Sequence, residues 1–255
     1  MRSLGARMVP LGFVAAVAVV LVALAPRGAL LTPSRAFETP SIGAPLGFGE
    51  AGVDISYVAG CGMLMSMALA TAVGLAAMII GTGLGAVAGL RGRGFDDFLE
   101  RACDLVQAFP SFFVALAVLA SVRSPSRMHL GLVLSLTAWA PFARLAVAEV
   151  RVLRQAPFVE AARAMGRSLP AIVWVHLVPS LAAVALVQLG ATMAASVIGE
   201  AAFSFVGLGP GDEASLGTLL EQGVACLART PHVLVSAAGA IVALNAALLR
   251  FGRRA

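Results

Sequence analysis

Six long segments of this sequence contain no Asp, Glu, Lys or Arg, and they restrict the chain to a membrane-embedded fold. The segments span 8–25, 55–90, 105–122, 128–143, 168–199 and 230–249. About 20 apolar residues in a helix cross a bilayer, so each segment is long enough, or nearly long enough, for one span. With 60% hydrophobic and 12% charged residues, the composition is that of a bilayer protein. The sequence therefore predicts an all-α integral membrane protein with six transmembrane helices.

Some segments exceed one span, and one has an alternative interpretation. We expect the second helix to cross the membrane over 63–90, and the fifth to cross after Pro179. The fourth can continue past Arg144, whose side chain can snorkel towards the headgroups. For the first segment, the basic residues before it and Ala23-Leu24-Ala25 after it also fit a cleaved signal peptide. Pro26 would block that cleavage, which favours a retained helix.

The distribution of arginine predicts the orientation, because positive charge in short loops accumulates on the cytoplasmic side. With the N-terminus inside, thirteen arginines fall on the inner side and five on the outer side. The outer five are Arg27, Arg35, Arg123, Arg127 and Arg229. Both termini and the loop at 157–180 are thus expected in the cytoplasm, in a chain that crosses its membrane several times.

The second segment is rich in glycine and predicts close helix packing. Gly74, Gly81, Gly83, Gly85 and Gly89 all lie within it. Small residues let two helices approach closely where lipid provides no hydrophobic drive between them. We therefore expect this helix to lie against a neighbour rather than to face lipid along its whole length.

Several function classes are excluded by residue types. All 18 basic residues are arginine, so no P-loop with its lysine exists, and any ATP hydrolysis must come from another subunit. The basic residues are scattered between apolar segments, which argues against nucleic-acid binding despite the net charge of +5. Cys61, Cys103 and Cys226 have neither ligand spacing nor a disulfide framework. No catalytic residue, metal site or cofactor is predicted.

The stretch 157–180 interrupts the apolar pattern and predicts two short helices joined by a turn. Pro157 suits a first helical turn, and Glu160 would complement the helix dipole there. Gly166 is suited to a left-handed stop, and Ser168 can cap a second helix. An ordinary amphipathic loop with this pattern remains the alternative on spacing alone.

The residues of this stretch also form a specific motif. Glu160-Ala161-Ala162 is followed by three residues, then Gly166, nine residues and His176-Leu177-Val178-Pro179. This order resembles the EAA loop of ABC importer permeases, and His in place of isoleucine resembles the dipeptide, oligopeptide and nickel subgroup. The resemblance implies a type I ABC importer permease fold in which the loop forms a cytoplasmic coupling helix. The coupling residues that it implies are Glu160, Ala161, Ala162, Met165, Gly166, Arg167, His176 and Pro179.

Other stretches resemble the same family and extend the similarity over roughly residues 45 to 250. The segment 92–111 resembles its inner amphipathic helix, with Asp96, Asp97, Glu100 and Arg101 on one side and Phe98, Leu105 and Val106 on the other. Residues 139–154 resemble a further family stretch and retain Arg144 and Glu149. EAAFSFVGLG at 200–209 resembles EASLSFLGLG, and Asn245 lies where the last span of the family is polar.

The outer segment before the second helix departs from the family. Gly47, Gly52 and Asp54 remain of its periplasmic pattern, but Phe48, Gly49 and Val53 replace Thr, Asp and Arg. Leu64 replaces a later Arg. Four prolines between 26 and 45 predict an irregular loop with regular structure only near Asp54. These changes leave the solute class and the docking partner open.

We expect a tail, first helix and periplasmic loop over 1–62 and an ABC transmembrane domain over 63–255. The resemblance implies a non-catalytic permease for peptides or similar small solutes, with nickel or another small solute as the alternative. The implied partners are cytoplasmic ABC ATPase subunits, a second homologous permease in a heterodimer, an extracytoplasmic solute-binding protein and the lipid bilayer.

Two functions from other classes were weighed. Gly209-Pro210-Gly211-Asp212 reads as the GxGD pattern of intramembrane aspartyl proteases, but that chemistry needs a second membrane carboxylate, which no uncharged segment offers. A self-sufficient secondary carrier would be expected to show internal repeats and a charge at the middle of a span, and neither is evident.

Overall fold

The computed structural model describes residues 2–24, 33–92, 94–157, 165–166, 178–209 and 214–253, and these residues are mainly α-helical. In chain order the helices are α1 (Arg2–Leu24), α2 (Ile55–Arg91), α3 (Phe95–Ala108), α4 (Ser111–Ala120), α5 (Arg127–Arg154), α6 (Val178–Phe205), α7 (Leu216–Ala225) and α8 (Pro231–Arg253). Two short 3-10 helices, Pro33–Arg35 and Glu50–Gly52, precede α2. Within the described ranges, β-pairing is limited to two isolated bridges. The all-α prediction is confirmed.

Four helices are long and apolar enough to cross a membrane, namely α2, α5, α6 and the Pro231–Gly252 part of α8. A fifth crossing is possible if α3 and α4 together form one bent span. α1 contributes a shorter apolar helix, Met8–Leu24. Each apolar segment of the sequence is therefore mainly helical where it is described, and four of these helices qualify as straight spans among the described residues.

The third expected span, over 105–122, is wrong as a single straight helix. α3 ends at Ala108, α4 begins at Ser111, and the two axes differ by 67°. Pro110 lies between them, and its backbone nitrogen carries no hydrogen, so it cannot donate the hydrogen bond that a continuous helix requires. α3 instead forms the amphipathic helix expected from 92–111. Its Phe98 and Leu105 are exposed, while its acidic residues face α5.

α2 is the central helix, because it contacts α1, α3, α5, α6, α7 and α8. It begins at Ile55, eight residues before the expected membrane part, and it continues without a break through positions 62 and 63. The largest apolar core joins this helix to its neighbours through Met63 of α2, Leu189 of α6 and Leu244 of α8. The other helices thus take their positions from α2.

The predicted close packing of the glycine-rich helix is confirmed. A Cβ added at Gly81 or Gly85 would collide with the backbone carbonyl oxygen of Trp139 or of Ala143 on α5. Added Cβ atoms at Gly74 and Gly89 would also meet neighbouring side chains at less than 3.0 Å. Gly83 differs, since no atom lies within 4 Å of its added Cβ. The seam between α2 and α5 therefore depends on glycine on one face of α2.

Candidate coupling loop and membrane cleft

The loop that carries the EAA-like motif is described only in part. Glu160, Ala161, Ala162, Arg167 and His176 lie outside the described residues. Met165 is 75% exposed, so its thioether is available for a contact. Gly166 has a φ of 76°, which confirms the left-handed turn predicted from the sequence. Pro179 lies in the first turn of α6, as expected for the start of the fifth span.

The two helices that flank this loop are joined at its base. The Ser180 hydroxyl in the first turn of α6 donates a hydrogen bond to Glu149 Oε1 near the end of α5. One turn further along α5, Arg154 Nη1 donates to the carbonyl oxygen of Gly89 on α2 at 2.8 Å. A displacement of the loop would therefore act on α5 and α6 together, and through Arg154 on α2.

Arg151 attaches the amphipathic helix α3 to the same end of α5. Its Nε donates to Asp96 Oδ2 at 3.0 Å, Nη1 donates to Glu100 Oε1 at 2.8 Å, and Nη2 donates to Asp97 Oδ1 at 2.9 Å. Arg144 pairs with Asp104 further along the two helices. The acidic residues of α3 are thus partners of α5 arginines.

A cleft of about 740 Å³ lies where α3 breaks into α4, and α5 and α6 form its other walls. Its aromatic side is built by Phe109, Phe112 and Phe203, and the rings of the last two stack at 4.9 Å between centroids. Small residues of α6, including Ala191 and Ala195, form the opposite side. The sequence did not predict this cleft, because the change of helix direction at Pro110 creates it.

The outer segment is an irregular loop over its described part, 33–54, as predicted. Asp54 is the N-cap of α2, and its Oδ1 accepts hydrogen bonds from the backbone N–H groups of Ser56 at 2.8 Å and Tyr57 at 3.3 Å. Gly47 and Gly52 both have positive φ. The three retained family positions therefore shape this loop and start α2. Their expected part in docking stays a prediction.

One residue that departs from the family has a clear structural role in this loop. Phe48 is 1% exposed, and the Arg35 guanidinium lies over its ring at 4.2 Å from the centroid. The backbone N–H of Phe48 donates to the Glu38 carbonyl oxygen at 2.9 Å. A polar side chain at this position would lose that burial, so the replacement stabilises a folded outer loop.

A buried ion pair at the opposite end of the bundle from the loop base was missed by the sequence reasoning. Arg127 Nη1 on α5 donates to Glu200 Oε1 on α6 at 3.0 Å, and Nη2 donates to the Ala214 carbonyl oxygen at 2.6 Å. The Glu200 side chain is 1% exposed. The sequence identifies Arg127 only as an outer arginine, because its partner lies 73 residues away and forms no local sequence pattern with it.

The described ranges contain free thiols but no cluster of side chains that could bind a metal. No group of three His, Cys, Asp or Glu side chains there is arranged to hold a metal ion. Cys61, Cys103 and Cys226 are free thiols. Asp212 of the GxGD pattern lies outside the described residues. The functional features of the described residues are therefore their packing, their hydrogen bonds and the cleft between α3, α4, α5 and α6.

Comparison with known proteins gives concordant results. The profile of the family described as binding-protein-dependent transport system inner membrane component matches residues 81–252. A dipeptide transport system permease protein, DppC, from Alkalihalophilus pseudofirmus is 31% identical over 177 residues, covering 69% of this chain and 58% of that protein. The oligopeptide transport system permease protein OppC of Mycobacterium tuberculosis is 32% identical over 200 residues, covering 77% and 68%. The glutathione transport system permease protein GsiD of Pectobacterium atrosepticum is 31% identical, covering 79% and 67%.

The fold has a solved counterpart. A chain from an inward-facing structure of the MetNI methionine ABC transporter superposes with a TM-score of 0.61. The match covers 76% of this chain and 92% of that chain at 21% sequence identity. At that identity the likeness concerns the fold alone, and it agrees with the helical bundle described above.

Proposed function

This chain belongs to the family of binding-protein-dependent transport system inner membrane components, and we propose that it is the non-catalytic permease subunit of an ATP-driven ABC importer. The observation that carries the proposal is the family match over 81–252, which contains the cleft, the coupling loop and both flanking helices. Relatives named for dipeptide, oligopeptide and glutathione transport favour peptides or similar small solutes as cargo. Nickel or another small solute is the alternative cargo.

The proposed assembly contains four kinds of subunit. A second homologous permease completes the pathway as a heterodimer, cytoplasmic ABC ATPase subunits bind the loop, and an extracytoplasmic solute-binding protein delivers cargo. The chain is a multi-pass membrane protein. We propose that the loop and both termini are cytoplasmic, as the arginine distribution predicts; Arg91, Arg151 and Arg154 lie at the end of the bundle that carries the loop and support this orientation of the loop.

Coupling is proposed to run from the loop into the bundle through hydrogen bonds. The EAA-like segment would bury Ala161, Ala162 and Met165 in a groove of the ATPase, and small side chains allow close approach there. Movement of the loop would reach α5 and α6 together, since Glu149 and Ser180 connect them. Arg154 would pass the displacement to Gly89 of α2. This arrangement supports a rigid lever rather than a flexible connector.

The test uses Gly166, where backbone conformation can be separated from packing. Within the described part of the chain no atom lies within 4 Å of a Cβ added at Gly166, so a substitution there acts on the preference for φ of 76° without a clash inside this part of the subunit. Gly166→Val is expected to remain in the membrane but to lose peptide uptake while ATP hydrolysis continues, because a β-branched residue is strained there by about 1–3 kcal/mol. Gly166→Asn is the matched control, since asparagine tolerates this region and should retain uptake.

A second substitution examines the ATPase contact. Ala161→Asp would place an unpaired charge in the buried contact, so less ATPase should co-purify with the membrane-inserted subunit. Peptide uptake is measured in cells, and ATPase retention is measured on the purified complex. Full uptake by both Gly166→Val and Ala161→Asp would contradict the coupling role of this loop.

A further inference from the structure

The cleft at the α3–α4 break has a wall of distinctive chemistry. Among the described residues that line it, none is ionisable. Its polar members carry amides or hydroxyls, and they are Gln107, Ser111, Thr137, Gln188, Thr192 and Ser196. The remainder of the wall is aliphatic, aromatic, glycine or proline. A volume of this size with an apolar wall and a few polar groups is typical of a small-molecule site.

Gln188 is the member whose position most needs an explanation. It is the eleventh residue of α6, so it lies about 15 Å along the helix axis at 1.5 Å per residue. Because the fifth span is expected to begin after Pro179, that distance corresponds to the middle of a hydrocarbon core about 30 Å thick. Its Nε2 contacts Thr192 Oγ1 at 3.4 Å. Polar side chains at this depth usually face a bundle interior or a water-filled cavity and mark a solute pathway.

We propose, resting on the proposed function, that this cleft is a solute-contact site that binds the uncharged amide backbone of a peptide and does not recognise charge. A primary amide both donates and accepts hydrogen bonds, as a peptide group does, and the neighbouring hydroxyls can do the same. The aromatic and aliphatic wall accommodates apolar side chains. A wall without ionisable groups pairs with neither sign of charge, so charged groups of the cargo remain in the hydrated part of the pathway.

The first test measures thiol reactivity in the complete importer, in membranes. Cys61, Cys103 and Cys226 are replaced by Ala, and Gln188→Cys is introduced. Three methanethiosulfonate reagents are compared: neutral hydroxyethyl, cationic trimethylammonioethyl and anionic sulfonatoethyl. The reaction of each reagent with free 2-mercaptoethanol in the same buffer gives the reference rates. Val187→Cys is the matched control, because Val187 is the adjacent residue but lies outside the cleft wall.

All three reagents are expected to modify Gln188→Cys, and the cation-to-anion rate ratio should equal that of free 2-mercaptoethanol within about tenfold, since a nearby unit charge would change it by more. Adding Gln107→Glu places a negative charge in the cleft wall and should raise the cation-to-anion ratio. This variant is the control that shows that the assay detects charge. A ratio already shifted more than tenfold would overturn the neutral-wall proposal. Absence of reaction, as expected at Val187→Cys, would also overturn the proposal, because lipid or the partner permease would then cover the cleft.

The second test concerns the amide itself. Gln188→Met preserves side-chain length but removes the amide, and Gln188→Asn keeps it. With a casein digest as the source of peptides, Gln188→Met should lower uptake about fivefold to tenfold, the effect of one hydrogen bond, and Gln188→Asn should lower it less. Equal uptake by the two variants would overturn the proposal. Absence of peptide uptake by the unaltered importer would instead refute the proposed function, and the thiol result would stand independently of it.

Discussion

Two alanine substitutions on α2, two residues apart, should have opposite effects on stability. In Gly85→Ala the added methyl group would meet the Ala143 carbonyl oxygen and lie 2.7 Å from the Cβ of Ala146. Cβ atoms do not approach other heavy atoms this closely, so α2 and α5 must separate or bend. In Gly83→Ala the methyl group meets no atom within 4 Å. The two variants thus make the same chemical change, and they differ only in whether other atoms lie close to the added methyl group.

The expected change in the free energy of unfolding follows from two opposing contributions. Overpacking a closely packed interface costs about 1–3 kcal/mol. Replacing glycine by alanine inside a helix favours the helix by about 1 kcal/mol, and this gain is common to both variants. The difference in free energy of unfolding should therefore be about 1–3 kcal/mol in favour of Gly83→Ala. At roughly 2–4 °C per kcal/mol for a chain of this size, the midpoints should differ by about 2–12 °C.

The assay is thermal unfolding of the detergent-purified subunit, followed by the loss of the monodisperse peak in fluorescence-detected size exclusion. Gly81→Ala, which would meet the Trp139 carbonyl oxygen, should behave like Gly85→Ala. Equal midpoints for Gly83→Ala and Gly85→Ala, or a lower midpoint for Gly83→Ala, would refute close packing of α2 and α5 at these glycines.

Two further predictions concern the ends of the bundle. A reporter fused after Arg254 should be active only if it is of a type that works in the cytoplasm, because thirteen of the eighteen arginines fall on the inner side in this topology; activity of a periplasmic reporter there would contradict the orientation. Asp54→Ala should lower the free energy of unfolding by about 1 kcal/mol through loss of the α2 N-cap, whereas Asp54→Asn should change it little; similar losses in both variants would point to a role of the negative charge instead of the cap.

The helices and the glycine seam could be predicted because their causes are local. Uncharged apolar segments form helices in a bilayer wherever they occur. The glycines of α2 are close together in the sequence, so their shared function was visible before their partners were known. Gly166 likewise has a positive φ because of its place after a short helical pattern. In each case the evidence lies within one turn or one segment.

The break at Pro110 and the ion pairs could not be predicted with the same certainty. Proline can kink a helix, begin one or end one, and packing against α5 and α6 decides among these outcomes. Arg151 binds carboxylates more than 50 positions away, and Arg127 binds Glu200 at a separation of 73. Sequence distance carries no information about such pairs. The cleft wall combines α3, α4, α5 and α6, so its neutral character emerges only when all four are placed.

The two side chains of the Arg127–Glu200 ion pair are buried to different extents, and this difference predicts unequal effects of removing them. The side chain of Glu200 is 1% exposed and that of Arg127 is 15% exposed, and Arg127 also donates to the Ala214 carbonyl oxygen. Removing one partner of a buried pair costs about 3–5 kcal/mol, because the other charge stays in a medium of low polarity. Arg127→Gln should therefore be the more damaging change, since the more deeply buried carboxylate then loses its guanidinium.

Glu200→Gln should be milder, because the remaining guanidinium keeps the Ala214 carbonyl oxygen and some access to water. The double variant Arg127→Gln with Glu200→Gln should recover part of the loss of Arg127→Gln alone, since position 200 then carries no charge in a medium of low polarity. The measurement is the amount of folded subunit in membranes and its unfolding midpoint for all four proteins of the cycle. If the two single substitutions are equally harmful and the double variant is their sum, the Arg127–Glu200 pair contributes no coupling energy between α5 and α6.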